Sequence, residues 1–411
     1  MLPKRKGFLS VALTLLLGFV FLAALSPLQF PPVGAGTIFI VNTPNNTADA
    51  NPGDGICEDA FGDCSIRAAV EEFRTTPGEN MVQVPSGFYG LSTLGITETL
   101  TIAGAGSSST ILGYWAGGHY FSIRNFVSGE ITVMISGITI QDGGISGDGG
   151  GIYTSENLIL KDCVIQGITA TRGGGVFVDV DGSLTVENCS FISNSAVEGG
   201  AIYSAGALTV TNSTFYNNAG EGGAIRNLGS MSISNSTFSG NVAGDFGAGI
   251  YSISAFPSQV SHSTITNNAA DANVNGVGDG GGIYSDGSLL IQDTLLANNI
   301  DYGGQAPDCG GALVSNGYNL IKTLTGCAVT LLPSDLFGLD PLLGPLANNG
   351  GTTLTHALLA GSPAIDGGNC ADPDGNPVLF DQRGMPRPQG VTCDMGAYEF
   401  GFRLYLPIIL H

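Results

Sequence analysis

Six small-residue triplets, each followed by one apolar residue, divide the middle of the chain into units of nearly constant length. They read Gly149-Gly150-Gly151-Ile152, Gly173-Gly174-Gly175-Val176, Gly199-Gly200-Ala201-Ile202, Gly222-Gly223-Ala224-Ile225, Gly247-Ala248-Gly249-Ile250 and Gly280-Gly281-Gly282-Ile283. The apolar residue recurs at steps of 24, 26, 23, 25 and 33. A period of this length is one supersecondary unit, and such units bury their apolar faces by stacking on each other. Between triplets a second landmark repeats: Leu-Thr-Val-Glu-Asn-Cys-Ser-Phe ending at Phe191, Leu-Thr-Val-Thr-Asn-Ser-Thr-Phe at Phe215, and Met-Ser-Ile-Ser-Asn-Ser-Thr-Phe at Phe238. Ile165, Ile265 and Leu295 take the same place in weaker copies. Apolar and small polar residues alternate, as in short strands with one face turned inward.

Three residues beyond these landmarks stand Asn194, Asn218, Asn241, Asn268 and Asn298. One Asn per coil at a fixed phase predicts a stack along the axis, each amide bonding the next at the ~4.8 Å strand spacing. Helical solenoids are excluded, because no long stretch has a 3.6-residue period and Gly reaches 64 of 411 residues. The frame of leucine-rich repeats is absent. The expectation is an all-β fold, a right-handed single-stranded parallel β-helix over 96–304, with a short N-terminal capping helix and a loop-rich C-terminal cap. Thr99-Leu100-Thr101-Ile102 is expected to open a stack of nine or ten coils, about 45 Å long. Its core is large enough to need no cofactor.

Exposed sheet edges at the ends of a solenoid must be covered. Asp63-Cys64-Ser65 offers caps for a helix whose apolar face is Ile66, Ala69, Val70 and Phe73, ending near Thr76-Pro77-Gly78. Ahead of it, Lys4, Arg5 and Lys6 precede an apolar run from Phe8 to Leu25, and Val33-Gly34-Ala35 supplies small residues before Gly36. Residues 1–35 read as a signal peptide, leaving no membrane span after cleavage and a secreted or cell-surface chain. The eight cysteines suit that oxidising compartment. Cys57 with Cys64, Cys309 with Cys327, and Cys370 with Cys393 are the pairs suggested by proximity, while Cys163 and Cys189 share one phase in consecutive coils.

The segments Phe39-Ile40-Val41-Asn42-Thr43, Asp54-Gly55-Ile56-Cys57, Asp63-Cys64-Ser65-Ile66-Arg67-Ala68-Ala69 and Val84-Pro85-Ser86-Gly87-Phe88-Tyr89 resemble the CSLREA domain over 36–95. Ile66 stands where that signature has Leu, and Ala68 where it has Glu. Gly317-Tyr318-Asn319-Leu320-Ile321, Asp340-Pro341-Leu342-Leu343-Gly344-Pro345, Thr355-His356-Ala357-Leu358, Gly361-Ser362-Pro363-Ala364-Ile365-Asp366, Asp381-Gln382-Arg383-Gly384 and Cys393-Asp394-Met395-Gly396-Ala397-Tyr398-Glu399 resemble the choice-of-anchor Q domain over 305–400. The resemblance implies an exported bacterial surface protein. The apolar tail 401–411 has no sortase-type motif, and its Leu406-Pro407-Ile408-Ile409-Leu410 run reads as either a sorting signal or a last strand.

Losing Lys4, Arg5 and Lys6 leaves ten bases against 34 acids, a net charge of −24. Such an excess repels nucleic acid and anionic lipid. Motifs of pectin-degrading hydrolases are absent, and the repeats hold only Arg172 and Arg226, in different coils and at different phases. Asp179 and Asp181 read equally as two carboxylates on one side of a strand or as a solvated turn, His262 reads as a strand-surface residue, and His356 as structural. No catalytic residue is assigned. The expectation is a non-enzymatic, monomeric, adhesin-like protein that binds extracellular polysaccharide or cell-envelope components; the rival is a polysaccharide lyase or glycoside hydrolase with a non-standard site. Tyr153, Tyr203, Tyr251 and Tyr284 recur at one phase and read first as a packed ladder, second as sugar platforms. Asp271, Asn273, Asn275 and Asp279, with Gly276 between, follow the first part of a calcium loop, though Gly282 stands where a bidentate Glu is required. Asp49, Asn51, Asp54 and Asp59, and Asp372, Asp374 and Asn376, form weaker clusters.

Overall fold

The computed structural model describes residues 36–75, 78–114, 118–126 and 129–401. The signal-peptide reading, the Thr76-Pro77 helix stop and the tail beyond Gly401 lie outside them. The described chain is a parallel β-helix. One coil runs through Val176–Val178, Ser183–Glu187, Ser190–Ile192 and Ser195–Glu198. Each strand stacks in parallel on its equivalent in the next coil: Val176 on Ile202, Leu184 on Leu208, Phe191 on Phe215, Ser195 on Ala219. We call these the first, long, third and edge faces. Alternate residues Val176, Val178, Leu184, Val186 and Phe191 point inward and are fully buried or nearly so, giving one continuous core. Stacking puts like on like: the rings of Phe191, Phe215 and Phe238 lie 4.9 and 4.7 Å apart and almost parallel.

The triplets are needed for close approach. Gly173 has φ +61°, and a Cβ on Gly174 would come 2.2 Å from Gly200 O. Other corners carry Asn188, Asn212, Asn235, His262 and Asp293, all at positive φ, a conformation that Asn and Asp tolerate better than bulkier residues. His262 is therefore a corner, not a strand-surface residue, and it is fully buried.

The amide stack is present and sits inside. Asn218 Oδ1 accepts from Asn194 N and Asn194 Nδ2, both at 3.0 Å, and the pattern repeats through Asn241 and Asn268. Its last amide is Asn299, not the expected Asn298, because Leu296 rather than Leu295 pairs with Ile265. The one-residue difference arises in the 33-residue unit. Asp308, which can only accept when ionised, ends the column by bonding Asn299 N and Nδ2. A second column runs beside it. Cys163 N donates to Cys189 Sγ, Cys189 N to Ser213 Oγ, and Ser213 N to Ser236 Oγ. Cys163 and Cys189 thus stack as expected and are both buried and unbridged.

Eleven strands form the third face, from Gly87–Leu91 to Leu336–Phe337, a rod of roughly 50 Å at the strand spacing. The stack begins before the expected Thr99, since Ile38–Ile40 pairs with Met81, Val82 and Gln83. Residues 42–79 interrupt that first turn, which hides its period. Within this insertion the helix Ile66–Phe73 is capped by Ser65, whose Oγ accepts from Ala68 N at 3.0 Å. Its Phe73 stacks on Phe39 of the first strand at 4.7 Å, so the helix covers the open end of the core. Cys57–Cys64, Cys309–Cys327 and Cys370–Cys393 are disulfides, which places the chain in an oxidising, extracellular environment. No helix among the described residues is long and apolar enough to cross a membrane.

Residues 341–400 lie as a strap along the outside of the third face. Thr237 Oγ1 donates to Gln382 Oε1 at 2.6 Å, Thr353 Oγ1 to Asn212 O at 3.0 Å, and Gln292 Nε2 to Ala371 O at 2.6 Å. Beneath it is a dry ionic cluster. Arg387 donates to Asp394 O, Gly396 O and Glu399, and both side chains of the Arg387–Glu399 pair are fully buried. Asp293 accepts from Asn369 N at 2.6 Å, and His262 Nε2 stands 3.6 Å from its other oxygen. Burial pushes Asp293 up to about 7 and His262 down to about 4, so both are neutral near pH 6 despite their proximity.

Two stability predictions result. Asn218→Ala strands buried donors and acceptors in two coils and should lower the unfolding free energy by about 3 kcal/mol. Asn298→Gly, outside the column and keeping its positive φ, should change it by under about 0.5 kcal/mol; equal losses in denaturant titrations would refute the register. As to pH, the raised Asp293 favours the fold at low pH, and that contribution disappears as pH rises through about 7. The lowered His262 contributes above its ordinary value of 6.5 and is lost as pH falls toward 4. Asn occupies this corner in other coils, so Asp293→Asn should fold and should remove the fall in stability that Asp293 contributes between pH ~4 and ~7. Parallel wild-type and variant curves across that window would show Asp293 ionised in the fold.

Candidate functional site

Along the first face one outward position forms a column: Ser122, Tyr153, Phe177, Tyr203, Arg226, Tyr251, Tyr284. Tyr153, Phe177 and Tyr203 stack at 5.3 and 5.2 Å and are each under 9% exposed. They are the packed ladder; their faces cover one another and offer no sugar platform. Arginines lie over them. The Arg124 guanidinium is 3.7 Å from the Tyr153 ring centre, and Arg172 is 4.8 Å from Phe177. Arg226 is 4.8 Å from Tyr251 and pairs with Glu198 at 3.7 Å. Arg172 and Arg226 stand at different phases, as expected, one on the edge face and one on the first face. They leave different strands but reach one column, because the edge face turns directly into the first face.

At the Tyr153 level the groups are of the kinds that move protons. Tyr153 donates its hydroxyl proton to Asp179. Burial first, and this hydrogen bond second, push its pKa up to about 12, so the phenol stays protonated as an acid. His119 lies with its ring centre 6.0 Å from that of Tyr153. Its Nδ1 is 2.5 Å from Gly149 O and therefore carries the proton, leaving Nε2 as the basic nitrogen. Arg172 grips Asp148 with both Nε (2.8 Å) and Nη2 (2.5 Å) and is neutralised. Arg124 differs: its Nε is buried without a hydrogen-bond partner, and it makes no ion pair among the described residues. It is the cation left for a ligand. Sequence reading missed His119 and Arg124; aligning the triplets places Arg226 in the tyrosine column, but nothing local marks the other two.

The long face carries a separate open groove of about 690 Å³ across four coils. Thr209, Ser232, Gln259 and Leu290 form its floor, with Phe256 and Asp374 at its margins.

The four residues of the calcium-like loop come together only in part. Asp271 accepts from Asn275 N at 3.0 Å and Gly276 N at 3.1 Å, and Asn275 Oδ1 from Val277 N at 2.6 Å. The amides of Asn273 and Asn275 both donate to Asp245 Oδ1. Asp279 lies nearer Asp301, and burial raises its pKa. The oxygens of Asp271, Asn273 and Asn275 are thus engaged by N–H groups, whereas Asp279 Oδ1 is buried without a hydrogen-bond partner. No group of three His, Cys, Asp or Glu side chains converges on a metal position among the described residues.

A family model described as right handed beta helix region matches residues 143–323, in keeping with the observed coils. No curated protein matches. Among solved structures, the A-module of the mannuronan C-5 epimerase of Azotobacter vinelandii is similar at 11% identity and TM-score 0.35, covering 75% of this chain and 96% of that one. The fold is a right-handed parallel β-helix. The expectation that the chain is not an enzyme is withdrawn: the matched module is a carbohydrate-active enzyme on a fold of this kind. At that identity the likeness extends to the fold alone and assigns no reaction here.

Millimolar Ca²⁺ should move the melting temperature by less than about 1 °C, since saturating a native site would add kilocalories of stability. A rise of several degrees that Asp271→Asn abolishes would establish the calcium loop instead.

Proposed function

We propose that the chain is an exported, surface-displayed protein that acts on an acidic polysaccharide at the Tyr153 level of the first face. The observation that carries this is Arg124, a cation with a buried unpartnered Nε, set over a protonated phenol and beside an imidazole with a free basic nitrogen. A carboxylate-bearing sugar fits that set. Arg124 would neutralise the carboxylate, which acidifies the adjacent C–H. His119 Nε2 would take that proton, and Tyr153 would protonate the leaving glycosidic oxygen, a lyase-type β-elimination. The signatures resembling the CSLREA and choice-of-anchor Q domains support export and display.

The net charge opposes a polyanion at long range, while Arg124 acts at contact. Screening shortens the first far more than the second, so turnover should rise from low to physiological salt. A second reading rests on the groove of the long face, whose floor of Thr209, Ser232, Gln259 and Leu290 mixes polar and apolar groups and suits an extended, uncharged glycan chain.

Incubation with polyuronates, read by the ultraviolet absorbance of unsaturated ends, tests the first reading. Wild type should form them, Tyr153→Phe should lower kcat at least ~100-fold, and Arg124→Ala should both lower kcat and raise KM. Absence of unsaturated ends across the polyuronates, or full activity in Tyr153→Phe, would contradict the assignment.

A further inference from the structure

The strap carries a hairpin, Leu343–Ala347 with Thr355–Leu358, that sits against the third face near Tyr216 and Ser239. His356 faces Ser239 there. Its Nδ1 is 2.7 Å from Gly344 O, and a carbonyl oxygen can only accept, so Nδ1 holds the proton. Nε2 is then an acceptor, and Ser239 Oγ, 2.9 Å away, donates to it. A serine hydroxyl bonded to an imidazole whose tautomer a third group fixes is the arrangement that activates a serine nucleophile. Both side chains are only 3% exposed. Burial lowers the pKa of His356, which keeps the ring in its basic, neutral form.

The pair borders an open pocket of about 550 Å³, lined also by Tyr216, Asn217, Asn267 and Leu346. Asn217 and Asn267 occupy one corner position in coils on either side of Gly240, all three at positive φ. A Cβ at position 240 would come 2.8 Å from Asn217 Oδ1 and 3.3 Å from the Tyr216 ring. The glycine thus keeps an opening directly beside Ser239. The exposed amides of Asn217 and Asn267 supply N–H donors at the rim, the type of group that stabilises an oxyanion.

We propose that Ser239, with His356 as its base, is a nucleophile for acyl transfer from carboxylic esters. Ser239 Oγ attacks the ester carbonyl carbon while its proton passes to His356 Nε2. The intermediate collapses with cleavage of the ester C–O bond, and the alcohol leaves with that proton. Water, deprotonated by Nε2, then displaces the acyl group and restores the serine. Whether the alcohol is a sugar depends on the polysaccharide reading above; the site itself does not, and a sugar-free ester separates the two.

The same contacts also tie the hairpin to the third face, so the experiment must tell a nucleophile from a tie. Full-length protein is treated with a fluorophosphonate probe and, separately, with p-nitrophenyl acetate. Wild type should carry the phosphonyl adduct on Ser239 in peptide mass spectra and release nitrophenol. Ser239→Ala should lose both, and His356→Gln should label at least ~100-fold more slowly. Thr353→Val, which removes another tie of the strap, should label at the wild-type rate. The labelling rate should also fall as pH drops and His356 takes up a proton. No adduct on Ser239, wild-type labelling in His356→Gln, or an equal loss in Thr353→Val would each overturn the proposal.

Discussion

The bond on which the rest of the molecule depends is the one from a buried Asn Oδ1 to the backbone and side-chain N–H groups of the Asn one coil above. Each coil holds three or four short strands, often of three residues, and the tight corners between them leave backbone groups without ladder partners. An apolar core alone would let such strands slide, because burial is non-directional. The amide column is directional and dry, and a slip by one residue would strand a donor and an acceptor in every coil. It fixes register along the axis. Register in turn superimposes residues that lie about 25 positions apart in sequence: Phe on Phe in the core, Tyr on Phe outside, and Arg172 over both Phe177 and Tyr203.

Both internal columns end in an aspartate, Asp308 for the Asn column and Asp335 for the column beyond Asn319. A terminal Asn would present two amide hydrogens with nothing below to receive them. A carboxylate accepts from above and leaves no donor over. The strap solves the lateral problem. It covers the outer third face with hydrogen bonds from Gln382, Thr353 and Asn369, and it shuts His262, Asp293 and Arg387 away from water. Charges in that layer are kept few: the corner His and Asp become neutral, and Arg387 is left with Glu399 and two backbone carbonyls.

The stacking architecture was legible because it needs the same residues at the same phase in every coil. Triplet glycines, the Phe landmarks and most of the Asn column are obligatory at their positions, so they repeat visibly. Ser65 and the apolar face of Ile66–Phe73 announced the capping helix for the same local reason. Features set by long-range packing were not legible. The first coil is split by residues 42–79, so Ile38–Ile40 showed no period. Asn299 was missed for Asn298 because the longest unit shifts phase by one residue. The Tyr153 level draws His119 and Arg124 from a coil with no triplet, and the Ser239–His356 pair joins residues 117 positions apart. Function needs such groups once, and a group used once leaves no pattern.

The axial amide column sets register and thereby assembles the outer columns. Hydrogen exchange resolved to single residues tests this most directly. The backbone amides that donate to column oxygens, at Ile168, Asn194, Asn218, Asn241 and Asn268, should be among the slowest in the chain. Exchange there as fast as in the edge strand Ser195–Glu198 would mean that the column does not hold the coils in place, and the account would fail at its base.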